Sequence, residues 1–96
     1  MNNYKKVSIN QLAVYLSNVY TKLENKWYSQ DVNNWMDDIR ELENNSIFQS
    51  RNWYVYDSMV YNKKGESERL TVAFKYIYFD DGTVDTEYYL PKSVNL

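Results

Sequence analysis

Cysteine and histidine are both absent from this chain of 96 residues. Without cysteine the chain can form neither a disulfide bond nor a thiolate zinc site. The absence of both side chains also excludes any mechanism in which a thiol or an imidazole acts as nucleophile or general base.

Glycine and proline are scarce, with two residues and one residue respectively. Two glycines cannot build a phosphate-binding loop, and the patterns G-x-G-x-x-G, G-x-x-x-x-G-K-[ST] and G-x-S-x-G are all missing. The acidic run Asp80-Asp81-Gly82, followed by Asp85 and Glu87, lacks the spacing of a calcium-binding EF-hand loop. We therefore expect no catalytic residue, no metal and no cofactor, and we predict that the protein is not an enzyme.

A strong charge of one sign and a long apolar segment are missing too. Thirteen acidic and eleven basic residues give a net charge of -2, so the basic excess of a typical nucleic-acid-binding domain is absent. No apolar run reaches the roughly 18 residues of a membrane-spanning helix, and the N-terminus does not have the pattern of a secretory signal. We expect a cytoplasmic protein without a membrane partner, in the host cytoplasm if a phage encodes it, and the charge balance disfavours sequence-independent binding of nucleic acid.

The residues that are abundant indicate a small globular domain with an unusual surface. Hydrophobic residues make up 44% of the chain, enough for one core, and we predict a single domain over residues 1–96. Twelve asparagines, eleven tyrosines and eight lysines are typical of AT-rich coding sequences, as in low-GC bacteria, their phages and their plasmids. Tyrosine combines an apolar body with a polar tip, and this number of tyrosines indicates a surface suited to a partner.

The first half of the chain has the periodicity of two amphipathic helices. Ser8-Ile9-Asn10-Gln11 has the form of a capping box, and apolar residues then recur every three or four positions as far as Trp27. This pattern predicts a first helix over residues 8–27. Asp31 is placed to cap a second helix over residues 31–43, whose apolar stripe comprises Val32, Trp35, Met36, Ile39 and Leu42.

From residue 52 onward the apolar period changes to two, which is typical of extended strands. We predict strands over residues 53–61, 69–79 and 83–90, with a strong hairpin signal at Asp80-Asp81-Gly82. Short connections make neighbouring strands antiparallel. The expected fold is therefore α+β, with two N-terminal helices packed on one face of a three-stranded antiparallel β-meander (ααβββ). Ile47 and Phe48 are expected in a connector that plugs one end of the core.

Two surfaces are candidates for binding a partner. If the helices cover one face of the sheet, alternation places Tyr54, Tyr56 and Tyr89 on the other face. The alternating pattern of the first predicted strand is less decisive than that of the other two. Asp37, Asp38 and Glu41 lie on the side of the second helix away from its apolar stripe. Tyrosine-rich and acidic surfaces both suit a protein partner, but tyrosines also stabilise exposed sheets through cross-strand pairs, and acidic residues also form ordinary solvated faces.

These features favour a small non-enzymatic protein-binding module. Its size, composition and lack of catalytic apparatus are generically similar to those of phage or mobile-element proteins that block host machinery by binding, among them the anti-CRISPR proteins. The leading hypothesis is a stoichiometric inhibitor of a host or defence protein. An immunity protein for a co-encoded toxin, a homodimeric accessory protein and a binder of single-stranded nucleic acid are the alternatives.

Overall fold

The computed structural model describes the backbone of residues 2–23 and 32–96 and the side chains of residues 2–23 and 36–96. Helices and strands are both present, as the predicted α+β class requires. In chain order the elements are β1 (Tyr4–Val7), α1 (Ile9–Lys22), α2 (Val32–Asn44), β2 (Ile47–Ser50), β3 (Trp53–Tyr61), β4 (Ser67–Tyr78) and β5 (Val84–Pro91).

The sheet has five strands within the described residues, in the order β1-β5-β4-β3-β2, and every neighbouring pair is antiparallel. The prediction of a three-stranded sheet is therefore wrong. The meander of β3, β4 and β5 forms its centre, with β4 in the middle, and a four-residue strand is added at each edge.

Both edge strands lack a sequence pattern that could have revealed them. Tyr4–Val7 has two lysines between its end residues, so its apolar residues do not alternate. Ile47 and Phe48 lie in β2 and are 69% and 56% exposed, so they do not plug the core as predicted. Short, polar or exposed edge strands are common because they discourage further strand pairing, and they carry a correspondingly weak hydrophobic signal.

Helix α1 begins where the capping box predicts. The Ser8 hydroxyl accepts a hydrogen bond from the Gln11 backbone N–H at 3.1 Å, and the Gln11 side chain accepts one from the Ser8 N–H at 2.8 Å. These two bonds satisfy backbone donors that have no partner inside the helix. The predicted extension of this helix to Trp27 and the predicted cap Asp31 lie outside the described residues.

The core lies between the helices and one face of the sheet. Leu70, Val72 and Phe74 alternate along β4 and have almost no solvent exposure, as the period-two pattern predicts. Helix α1 packs against β4 and β5, and α2 packs against β3. The other large side chains that are fully buried in the described residues are Leu12, Leu16, Leu23, Ile39 and Leu90.

Tyr15 completes the hydrogen bonding of β4 at the point where β5 ends. The β4–β5 ladder stops at the pair Ala73–Tyr89, and Pro91, the last residue of β5, has no backbone N–H to extend it. The Tyr15 hydroxyl accepts a hydrogen bond from the Thr71 N–H at 3.1 Å and donates one to the Arg69 carbonyl at 3.4 Å. Burial raises the pKa of this phenol, so it stays protonated and able to donate.

The β3–β4 and β4–β5 hairpin turns use glycine where the backbone needs a positive φ. Gly65 and Gly82 have φ angles of 82° and 86°. In the second turn the Asp81 carboxylate accepts hydrogen bonds from the Thr83 N–H and hydroxyl, and these bonds lower the pKa of Asp81. The predicted hairpin at residues 80–82 is therefore present, and its aspartate stabilises the turn.

Replacing Ser8 with alanine tests the helix cap. We expect Ser8→Ala to lower the free energy of unfolding by about 1 kcal/mol, because one backbone donor of the first turn loses its acceptor. Ser67→Ala, at an exposed position of β4, is the matched control and should change stability by less than about 0.5 kcal/mol. Urea denaturation followed by circular dichroism measures both, and equal effects would contradict the capping role.

Candidate protein-binding site

The structure places Tyr54 and Tyr56 on the helix-covered face of the sheet. Tyr54 pairs with Phe74 and Tyr56 pairs with Val72, and both of those β4 residues are buried in the core. Directly paired residues of antiparallel strands point to the same face, so the predicted exposure of both tyrosines on the open face is wrong. They are partly buried and pack against the core cluster.

Tyr89 does lie on the open face, beside Trp53 rather than beside the other two tyrosines. The Trp53 and Tyr89 ring centroids are 4.6 Å apart, although β4 separates their strands. This contact crosses β4 next to Ala73, whose small side chain leaves room for it and is fully buried. The Lys75 ammonium is 5.4 Å from the centre of the Trp53 ring, within the range of a cation–π contact.

The charged groups of the open face largely pair with one another. Lys6 forms a salt bridge to Glu87 at 2.6 Å, and this bond lowers the pKa of Glu87. Arg69 donates two hydrogen bonds to the Asp57 carboxylate, at 2.8 and 2.6 Å, and thereby lowers the pKa of Asp57. Because these charges are already paired within the face, they do not need opposite charges from a binding partner.

The carboxylates of α2 fall into three different environments. Asp37 is exposed and lies 3.7 Å from the Arg40 guanidinium, one turn along the helix. Glu43 accepts a hydrogen bond from the Tyr76 hydroxyl at 2.5 Å, which contributes to the raised pKa of that phenol after the larger effect of burial. Asp38 and Glu41 instead line a pocket.

This pocket, of 310 Å³, lies between the two helices and β3. Helix α2 contributes the carboxylates of Asp38 and Glu41, and β3 contributes Tyr56. The structure thus brings together three of the six predicted partner-binding residues. The full set of lining residues is Tyr20, Asp38, Glu41, Leu42, Asn45 and Tyr56.

Asp38 is held in a setting that disfavours its charge. Its Oδ2 atom is buried and accepts no hydrogen bond from any part of the chain that the structure describes. Burial raises the pKa of Asp38, and the neighbouring carboxylates of Glu41 and Asp37 raise it further. A positive charge in the pocket would relieve both effects, because it would stabilise the carboxylate by Coulomb attraction.

Three residues of the pocket were not singled out by sequence reasoning: Tyr20, Leu42 and Asn45. A signal for two of them exists in the sequence. Positions 38, 41, 42 and 45 follow the i, i+3, i+4, i+7 spacing that places side chains on one face of a helix. Tyr20 carries no such signal, because it reaches the pocket only through the packing of α1 against its neighbours.

Two absences apply to the described residues only. Residues 2–23 and 32–96 contain no group of three or more carboxylates arranged to hold a metal ion. Within the same ranges no helix has the length and apolar content needed to cross a bilayer.

Ionisation of Asp38 should lower the free energy of unfolding as the pH rises. Its folded-state pKa lies above the unfolded value of about 3.9, so ionisation costs more in the folded state. At pH 3 this carboxyl group is mostly protonated in both states, so the free-energy cost of ionising it in the folded state is small. Above the folded-state pKa the cost reaches its full value. Asp38→Asn should therefore gain stability relative to the wild type as the pH rises from 3 to 7.

We expect this gain to stay below about 1 kcal/mol, since solvent screens a carboxylate that is only partly buried. Asp37→Asn removes the same charge at the adjacent, exposed position and serves as the matched control. Urea denaturation at both pH values measures the free energy of unfolding. A pH-independent difference between Asp38→Asn and the wild type would contradict the assigned setting of Asp38.

Comparison of the chain with protein-family models, with curated proteins and with solved structures gives no match.

Proposed function

We propose that this protein is a non-enzymatic binding module that acts by stoichiometric attachment to another protein. In this proposal a phage or mobile element encodes it, and its target is a host or defence protein. The AT-rich composition supports the proposed origin, and the small size and the lack of cysteine and histidine favour binding over catalysis.

The observation that carries this proposal is the convergence of Asp38, Glu41 and Tyr56 on one pocket. These residues come from a helix and from a strand, and each belongs to a residue type that suits recognition. Tyrosine supplies a rigid contact area at low entropic cost, and carboxylates supply charge complementarity to a basic surface. The pocket is concave and combines the aliphatic side chain of Leu42 with polar groups that can orient a side chain of the partner.

The acidic end of the pocket also fits a role in association kinetics. Asp37 and Arg40 lie at the exposed side of α2, beside the carboxylates of the pocket. Excess negative charge at this surface would steer a basic partner toward it and raise the association rate. Steering of this kind weakens with salt, because the Debye length falls to about 8 Å at physiological ionic strength.

An immunity protein would use the same surface chemistry. In that case the basic partner is a toxin encoded beside this gene, and the gene neighbourhood distinguishes the two proposals. The open face of the sheet is a weaker candidate surface, since Lys6 with Glu87 and Arg69 with Asp57 already satisfy each other there.

Charge reversal in α2 tests the proposed binding surface. The wild-type chain, immobilised at micromolar concentration, should retain a discrete protein from the lysate of a low-GC host. The double variant Asp38→Lys/Glu41→Lys should retain that protein at least about tenfold less well, because reversed charges at an interface cost several kcal/mol.

Asp80→Lys is the matched control, since Asp80 is exposed in the β4–β5 turn and lies away from the pocket. It should leave retention unchanged, and the captured protein should bind the purified chain in a fixed ratio in size-exclusion chromatography with light scattering. The proposal fails if no protein is retained, or if the double variant retains it as well as the wild type does.

A further inference from the structure

The pocket lined by Asp38 and Glu41 of α2, named here the α2 pocket, offers hydrogen-bond acceptors, and its described lining includes no basic side chain. The nearby Arg40 guanidinium is directed to Asp37 on the exposed side of α2. The charge of the pocket carboxylates, Asp38 and Glu41, is therefore not neutralised by a basic residue of the described lining.

Asn45 adds a neutral acceptor to the same wall. Its side-chain N–H donates to the Glu41 backbone carbonyl at 2.8 Å. This bond fixes the orientation of the amide and uses one of its two N–H donors, and the amide oxygen can accept a hydrogen bond from a ligand. Asp38, Glu41 and Asn45 thus present acceptors along one face of α2, a pattern that suits a ligand with several donors.

The other lining residues, Tyr20, Tyr56 and Leu42, can contact a planar cation. Tyr20 and Tyr56 line the pocket from α1 and β3, and tyrosine rings attract cations through their negative faces. Leu42 contributes an apolar surface on which the methylene stem of a long basic side chain can lie. The volume of 310 Å³ is at the small end of ligand sites, which suits a single side chain better than a larger molecule.

An independent feature of the pocket also points to a cation. The Oδ2 atom of Asp38 is buried and has no hydrogen-bond partner among the described residues. A buried polar atom without a partner is rare in folded proteins, because desolvation then goes uncompensated. Attraction to a bound positive charge would compensate this carboxylate.

We propose that the α2 pocket receives one arginine side chain of the partner protein. The guanidinium has five N–H donors in a planar fork, is weakly hydrated and stacks on aromatic rings. Lysine offers a compact, strongly hydrated charge that matches the flat, multi-acceptor arrangement less well. This inference rests on the proposed binding function and adds the chemistry of the group that the partner inserts.

Small-molecule probes test this inference without the partner. The full-length, isotope-labelled chain is titrated with N-acetylarginine amide and followed by NMR, with N-acetylcitrulline amide as the uncharged isostere and N-acetyllysine amide as the alternative cation. We expect saturable shifts at Tyr20, Asp38 and Tyr56 with the arginine probe, and affinity at least about tenfold lower for the other two probes.

Matched variants locate the binding. Asp38→Asn should weaken the arginine probe about tenfold, whereas Asp37→Asn, which removes the same charge outside the pocket, should have little effect. The spectra also show whether each variant is folded. Equal binding of citrulline or lysine probes, equal effects of the two variants, or shifts confined to other residues would overturn the proposal.

The capture experiment and the titration with the arginine probe test different claims, so one can fail without the other. If the chain captures no protein from the lysate but binds the arginine probe through Asp38, the proposed target is wrong and the pocket chemistry stands. If a partner is captured through α2 but the arginine probe does not bind, the binding function stands and the arginine assignment is wrong.

Discussion

The burial of one face of β4 fixes the arrangement of everything else in the molecule. Leu70, Val72 and Phe74 lie under the helices with almost no exposure, and each contributes roughly 1.5–3 kcal/mol of hydrophobic stabilisation relative to an exposed position. A slip of one residue would turn these side chains toward solvent, so the register of β4 with its neighbours is strongly determined. The orientation of every residue on β3 and β5 follows from that register.

The candidate site is a direct consequence of this constraint. Because Tyr56 pairs with Val72, it must point toward the helices rather than toward the open face. There it meets Asp38 and Glu41 of α2 and forms a single pocket with them. The two surfaces that sequence patterns indicate as separate alternatives, acidic and tyrosine-rich, therefore meet in part at one place, while Tyr89 belongs to the opposite face.

Sequence patterns predict the features that depend on neighbouring residues. The Ser8 cap, the hairpin at Gly82 and the alternation of β4 all come from local chemistry that is visible in the chain. The face on which Tyr56 lies depends on long-range register, because β3 carries aromatic and apolar residues in both alternating sets. The edge strands Tyr4–Val7 and Ile47–Ser50 were missed for a related reason, since pairing with β5 and β3 defines them and their own apolar pattern does not.

The position of the Tyr56 ring is the most direct test of this account. In a nuclear Overhauser spectrum of the full-length chain, the ring protons of Tyr56 should show contacts to the Leu42 methyl groups of α2, since both residues line the same pocket. The Trp53 indole should show contacts to the Tyr89 ring on the opposite face. Contacts from Tyr56 to Tyr89 or Lys75, with none to Leu42, would contradict the register and remove the pocket with it.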